Sequence, residues 1–120
     1  GEWAVATRPD GTVAGPEAPA RPGEVIVLYA TGLGPVTPRV RDGELPERAA
    51  VITGRRSFTL RLNGAAVEDS RILYVGITPG FAGLYQINLS LPPDAPDDPE
   101  IEIQAGEFAS PRGPKLALRR

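Results

Sequence analysis

From Tyr85 to Leu91 the chain alternates without a break. Tyr85, Ile87, Leu89 and Leu91 are apolar, and Gln86, Asn88 and Ser90 between them are polar. A period of two sends successive side chains to opposite faces of a strand, so one face suits burial and the other water. A second apolar segment runs from Tyr74, and Gly76, Pro79, Gly80 and Gly83 stand between the two. Proline fixes φ and glycine permits positive φ, so this spacing predicts a shaped turn joining two strands. Pro92 and Pro93 stop the second strand.

The same pattern recurs along the chain. Phe58, Leu60 and Leu62 alternate with Thr59 and Arg61, and Asn63-Gly64 follows as a strong hairpin signal, with a return strand expected from Ala65 through Val67. Ile101, Ile103 and Ala105 face inward against Glu102 and Gln104. Glu24 to Ala30 is apolar on both faces, which predicts a central or loop-covered strand. Short strands are expected at Trp3 to Thr7, before the Arg8-Pro9-Asp10-Gly11 turn, at the sheet edge over Ala49 to Thr53, and at Lys115 to Arg119, where Leu116 and Leu118 close the sheet. In Thr31-Gly32-Leu33-Gly34-Pro35, two glycines around a leucine predict a bend that carries Leu33 into the core.

A chain of 120 residues suits one domain, here 1–120. Fourteen Gly and 14 Pro beside 41% hydrophobic residues favour short strands and turns over helices or disorder. The best helical candidate, Glu44 to Ile52, is broken by Pro46. These observations predict an all-β fold, an antiparallel immunoglobulin-like β-sandwich of about seven to eight short strands. Architecture alone does not give function.

Composition narrows the chemistry. The chain has no Cys and no His, which removes thiolates and the commonest general base and metal ligand. A net charge of −2 with interspersed signs is no footprint for nucleic acid. Twelve of the 13 basic residues are Arg, read as ordinary solvated side chains. No apolar run is long enough to span a bilayer, and the lack of any Met suggests a fragment of a longer protein. The Thr31 to Pro35 turn lacks the lysine and following helix of a phosphate loop. Asp94, Asp97, Asp98 and Glu100 match no calcium-loop spacing, and no cofactor is expected. Long loops on rigid β scaffolds often carry function, so Val36 to Arg56 is the first place to expect a site. There Asp42 and Glu47 offer a remote glycosidase-like carboxylate pair. Lys115, the one lysine, raises the idea of an intramolecular isopeptide bond.

Several stretches taken together carry a resemblance. These are Asp10-Gly11-Thr12, Pro19 to Glu24, Tyr29-Ala30-Thr31-Gly32-Leu33-Gly34-Pro35, Asn63-Gly64, Tyr74-Val75-Gly76, and Pro79-Gly80-Phe81-Ala82-Gly83-Leu84-Tyr85-Gln86-Ile87-Asn88, with Pro92, Gly106 and Ser110. Over nearly its whole length the chain resembles the Solibacter-type C-terminal domain, of uncharacterised function, found at the ends of large exported proteins of acidobacteria. More loosely it is similar to the Ig-like domains of plexins and transcription factors. The proline-rich acidic turn from Pro92 to Glu100 departs from the pattern, which has a Gly before the next strand. The resemblance implies a non-catalytic β-sandwich near the C-terminus of a secreted or cell-surface protein, and brings no catalytic or ligand residues.

The motif residues Thr31, Gly32, Gly34, Pro79, Gly80, Gly83, Gln86 and Asn88 are therefore expected to be structural, the glycines for their backbone angles. Gln86 and Asn88 are expected to lock neighbouring loop backbone, such as the Thr31 to Pro35 turn, the alternative being a polar binding face with Tyr74 or Tyr85. Expected partners are neighbouring domains of the parent chain or another surface protein. A polysaccharide is the alternative, which needs exposed rings among Trp3, Tyr29, Tyr74, Tyr85 and the three Phe. Nucleic acid and membrane insertion of this segment are not expected.

Overall fold

The structure, a computed structural model, describes residues 3–33, 36–37, 51–81, 83–110 and 113–120. In these the chain is all-β. Its strands are β1 (Ala6–Thr7), β2 (Val25–Ala30), β3 (Val36–Thr37), β4 (Val51–Ile52), β5 (Phe58–Leu62), β6 (Ala65–Ala66), β7 (Ile72–Ile77), β8 (Tyr85–Ser90), β9 (Ile101–Ala105) and β10 (Phe108–Ala109). They form an antiparallel β-sandwich with one sheet ordered β1-β2-β8-β7-β4-β3 and the other β10-β9-β5-β6.

The alternating segments lie where their patterns place them. In β5 the buried residues are Phe58, Leu60 and Leu62, in β9 Ile101, Ile103 and Ala105, and in β8 Ile87 and Leu89. The β5 and β9 residues meet Ile87 and Leu89 of β8, with Ile26, Leu28 and Val75, from the facing sheet in one cluster. Burying a Leu or Ile fully contributes about 1.5–3 kcal/mol, so this double row supplies the main drive for folding. β2 is central, between β1 and β8, and both its faces bury residues, Ile26 and Leu28 on one and Val27 on the other. Leu33 is buried in the core. Asn63 and Gly64 both have positive φ, 51° and 82°, as a two-residue hairpin of this twist demands.

Four expectations are corrected. The strand expected at the edge near Ala49 to Thr53 is β4, and it is internal, because β3 pairs outside it. Gly76 lies within β7, opposite Gln86, not in the turn. β10 forms after Ala105, where no strand was expected, pairing Phe108 with Ala105. Lys115 to Arg119 is no strand. It is a strap with single bridges from Lys115 to Trp3 and Glu100, and from Leu118 to Ala20. With Ala4 donating to the Lys115 carbonyl at 2.9 Å, the strap joins the two sheets along one side of the sandwich. Leu116, Ala117 and Leu118 are all buried in it, because sheet surface lies on both sides.

Arginine 8 is no solvated side chain either. Its Nε donates to Glu24 Oε2 at 3.2 Å, Nη1 to the Val13 carbonyl at 2.9 Å, and Nη2 to the carbonyls of Ala18 and Pro19 at 2.9 and 3.0 Å. A planar fork reaching three carbonyls orders a proline-broken loop that has few backbone hydrogen bonds of its own.

Candidate functional site

The Thr78 to Leu84 turn is the residue-level origin of the site. Thr78 N–H donates to the Leu84 carbonyl at 2.7 Å, and Phe81 N–H donates to the Thr78 carbonyl at 3.2 Å. Between them Pro79 stands where a fixed negative φ is favoured, and Gly80 has φ 85°, the arrangement of a type II turn. Gly83, with φ 71°, leads back into β8. Pro79 and Gly80 set the turn's backbone angles, and the turn holds Phe81 57% exposed.

Beneath Phe81 lies an open groove of about 630 Å³. Val5 and Thr7 form one wall, Tyr29, Ala30 and Thr31 at the end of β2 form the floor, and Thr78, Phe81 and Leu84 form the other wall. Thr7 Oγ1 and Tyr29 Oη hydrogen-bond each other at 3.2 Å. Thr78 Oγ1 is buried and finds no partner among the described residues. A smaller depression of about 320 Å³ shares Val5, Tyr29, Ala30 and Thr31 and extends to Trp3 and Phe108. Among the described residues no charged side chain lines either one.

The remaining motif residues fall into place around the groove. Thr31 is exposed on its floor, and Gly32 turns the chain away with φ 74°, where an added Cβ would stand 3.8 Å from the Phe108 ring. Gly34 lies outside the described residues. Among the described residues Gln86 and Asn88 make no bond to the Thr31 turn. Gln86 Nε2 donates to Asn88 Oδ1 at 2.9 Å, because residues two apart on a strand share a face. Tyr74 Oη donates to the Ile77 carbonyl at 2.8 Å, so in the alternative reading, a polar face of these amides with Tyr74, the groups are already internally bonded. Tyr85 is half-buried on the inner side, where loss of water pushes its phenol pKa above the ordinary value.

Among the aromatic residues Phe58 is buried, Phe81 is exposed, and Trp3, Tyr29, Tyr74, Tyr85 and Phe108 are half-buried. The acidic turn serves the fold. Asp98 Oδ1 accepts from Leu118 N–H at 3.2 Å, Asp98 Oδ2 pairs with Arg119 at 2.6 Å, and Asp97 Oδ1 accepts from Arg120 N–H at 2.8 Å. Among the described residues no three carboxylates stand close enough to hold a metal ion. Asp42, Glu47 and most of the Val36 to Arg56 loop lie outside the described residues. Lys115 is exposed, and its amine makes no ion pair or hydrogen bond among them.

At the other end of β8 a second depression, of about 670 Å³, lies between the β5–β6 hairpin and the Pro92 to Pro96 turn. It carries Glu68, Arg71 and Asp94, charges of both signs on exposed loops, and has the character of ordinary solvated surface. Thr78 was not singled out from the sequence, and Val5, Thr7 and Leu84 stood only inside longer stretches. The only local signal was Thr-Pro-Gly-Phe, a turn that must present its last residue. No protein-family model, curated protein or solved structure matches the chain. Among the described residues no helix is long and apolar enough to cross a membrane.

Proposed function

We propose that the chain is a non-catalytic, Ig-like interaction module of a secreted or cell-surface bacterial protein, docking on a neighbouring domain of its parent chain or on another surface protein. The observation that carries this reading is the contrast between the two outer sheet faces. On the β5–β9 face Arg61 stands opposite Glu102 and Thr59 opposite Gln104, the charged and polar pairs of a solvated sheet. On the facing sheet the outward residues Thr7, Val27, Tyr29, Gln86 and Asn88 carry no charge, and beyond them lies the apolar groove with Val5 68% and Phe81 57% exposed. Depletion of charge around aromatic residues is the composition of an interface core. The placement at a chain terminus and outside the cell rests on the Solibacter-type resemblance.

A polysaccharide-binding module is the second reading, favoured by the exposed ring of Phe81 beside the hydroxyls of Thr7, Thr31 and Tyr29. Two measurements separate them. A longer chain including the adjacent domain should unfold at a higher temperature than this segment alone, and Phe81→Asp should abolish the difference. Retention on insoluble polysaccharides or cell-wall fractions that survives high salt, with no such coupling, would instead establish the carbohydrate reading.

A further inference from the structure

The hairpin between β5 and β6 turns on Asn63 and Gly64, and Asn63 does more there than supply a positive φ. Its backbone N–H donates to the Glu100 carbonyl at 2.9 Å, and its Oδ1 accepts the Glu100 N–H at 2.8 Å. The side-chain bond spans 37 positions of the chain and pins the hairpin tip to the start of β9, next to the pair of Leu62 with Ile101. Both turn residues are exposed to water. Among the described residues nothing stands within 4 Å of where a Cβ on Gly64 would lie, so the Gly64 nitrogen is uncrowded. A glycine after an asparagine lets the following backbone nitrogen reach the side-chain amide carbon with the least hindrance, because no Cβ stands beside it. The chain's other asparagine, Asn88, precedes Leu89 inside β8.

We propose that Asn63 is a self-modification site, which the native hairpin holds shut and which records irreversibly that the hairpin has opened. In the reaction the Gly64 nitrogen gives its proton to water and bonds to Asn63 Cγ. The Cγ–Nδ2 bond breaks, and Nδ2 takes up a proton and leaves as ammonia. One water molecule then opens the five-membered imide ring. Opening at Cγ gives aspartate, and opening at the Asn63 main-chain carbonyl gives isoaspartate, whose backbone runs through Cβ and Cγ. The folded hairpin blocks the first step in two ways. A planar ring requires Asn63 Cβ and the Gly64 nitrogen to eclipse each other about the Cα–C bond. Positive φ at both residues, 51° and 82°, marks a type I′ turn, which sets that bond to a different angle. The amide is also tied to the Glu100 N–H, and swinging it onto Gly64 gives up that bond. The two products differ in what they leave behind. Aspartate keeps an acceptor for Glu100 and tolerates the positive φ. Isoaspartate adds a carbon to the main chain, so the loop no longer matches the register of Leu62 on Ala65.

The test holds the chain at neutral pH in buffer and in urea above its unfolding midpoint. Peptide mapping by mass spectrometry follows aspartate and isoaspartate at position 63 over time. Asn63 should react about tenfold faster or more in urea, since the folded chain must first break two hydrogen bonds and the turn. Asn88 should stay intact in both. Gly64→Ala should slow the reaction in urea by crowding the nitrogen, and should narrow the difference between buffer and urea because the turn it weakens opens more often. The isoaspartate chain, separated by reversed-phase chromatography and returned to buffer, should melt below the parent and lose hydrogen-exchange protection at Val67 and Glu100. Asn63→Asp should keep the protection at Glu100. A reaction as fast in the folded chain as in urea would overturn the proposal, as would no reaction in urea or no slowing there by Gly64→Ala. Loss of the Asn88 amide at the rate of Asn63, or an isoaspartate chain that melts with the parent, would overturn it equally.

Discussion

Replacing Asp98 separates the two things this carboxylate does. Its Oδ1 accepts the N–H of fully buried Leu118 at 3.2 Å, and its Oδ2 pairs at 2.6 Å with Arg119, which is 61% exposed. Its own φ is 42°, a backbone region that Asn and Asp tolerate and Ala does not. Asp98→Ala leaves a buried amide without its acceptor, at about 1.5–3 kcal/mol for a bond to a charged group. It adds roughly 1 kcal/mol of backbone strain. The exposed ion pair contributes only about 0.2–1 kcal/mol. Asp98→Asn keeps an acceptor oxygen and the tolerated φ, losing mainly the ion pair. The alanine variant should therefore be about 3 kcal/mol less stable than the asparagine variant, a gap of roughly 12 °C in melting temperature for a chain of this size. Urea unfolding with unchanged m-values measures it, and hydrogen exchange at Leu118 should accelerate in the alanine variant alone. If the two variants lose equal stability, the strap is held by charge and not by the carboxylate–amide bond, and the reasoning fails.

The other expectations are as direct. Thr78→Val should stabilise the isolated chain, by about 1 kcal/mol in urea unfolding, because the hydroxyl it removes is buried and unpaired. Arg8→Lys should cost about as much as Arg8→Ala, roughly 2 kcal/mol, since an ammonium cannot reach Glu24 and three carbonyls together; a lysine variant of parental stability would refute the fork. Gly64→Ala should cost about 1 kcal/mol by thermal unfolding, because its φ of 82° is strained for any residue with a Cβ although nothing stands in the way of the methyl. The Asp10 carboxylate accepts the Thr12 backbone N–H at 2.9 Å and the Thr12 hydroxyl at 2.7 Å, which hold its pKa below the ordinary 3.8. The resulting stability is present above the unfolded value and lost as pH falls through the lower, folded one; NMR titration of Asp10 should give that low value, and Asp10→Ala should remove its part of the acid sensitivity.

The strands that were legible in the sequence are those buried on one face and flanked by turn residues. In β5, β8 and β9 water and core impose opposite demands on neighbouring residues, so the fold leaves its period in the chain. Where that opposition is absent the reading fails. Leu116, Ala117 and Leu118 look like the end of an alternating strand, yet all three are buried, because the strap is covered from both sheets and not from one. β3 and β10 have two residues each, too few for any period. Arg8 was hidden for another reason: one arginine looks like another in sequence, and only the carbonyls of Val13, Ala18 and Pro19 around it make it a clamp.

The groove was illegible for a reason that bears on its role. Val5, Tyr29, Thr78 and Leu84 lie far apart in the chain and become neighbours only through the register of β1 on β2, β2 on β8 and β8 on β7. Each residue alone is ordinary, a valine before a strand or a threonine before a turn proline. Their meaning lies in what the assembled face lacks. A sheet face that only meets water gains nothing by excluding charge, and the β5–β9 face pairs Arg61 with Glu102 accordingly. The docking proposed above would desolvate every charge on the face it covers, and the described residues around the groove carry none.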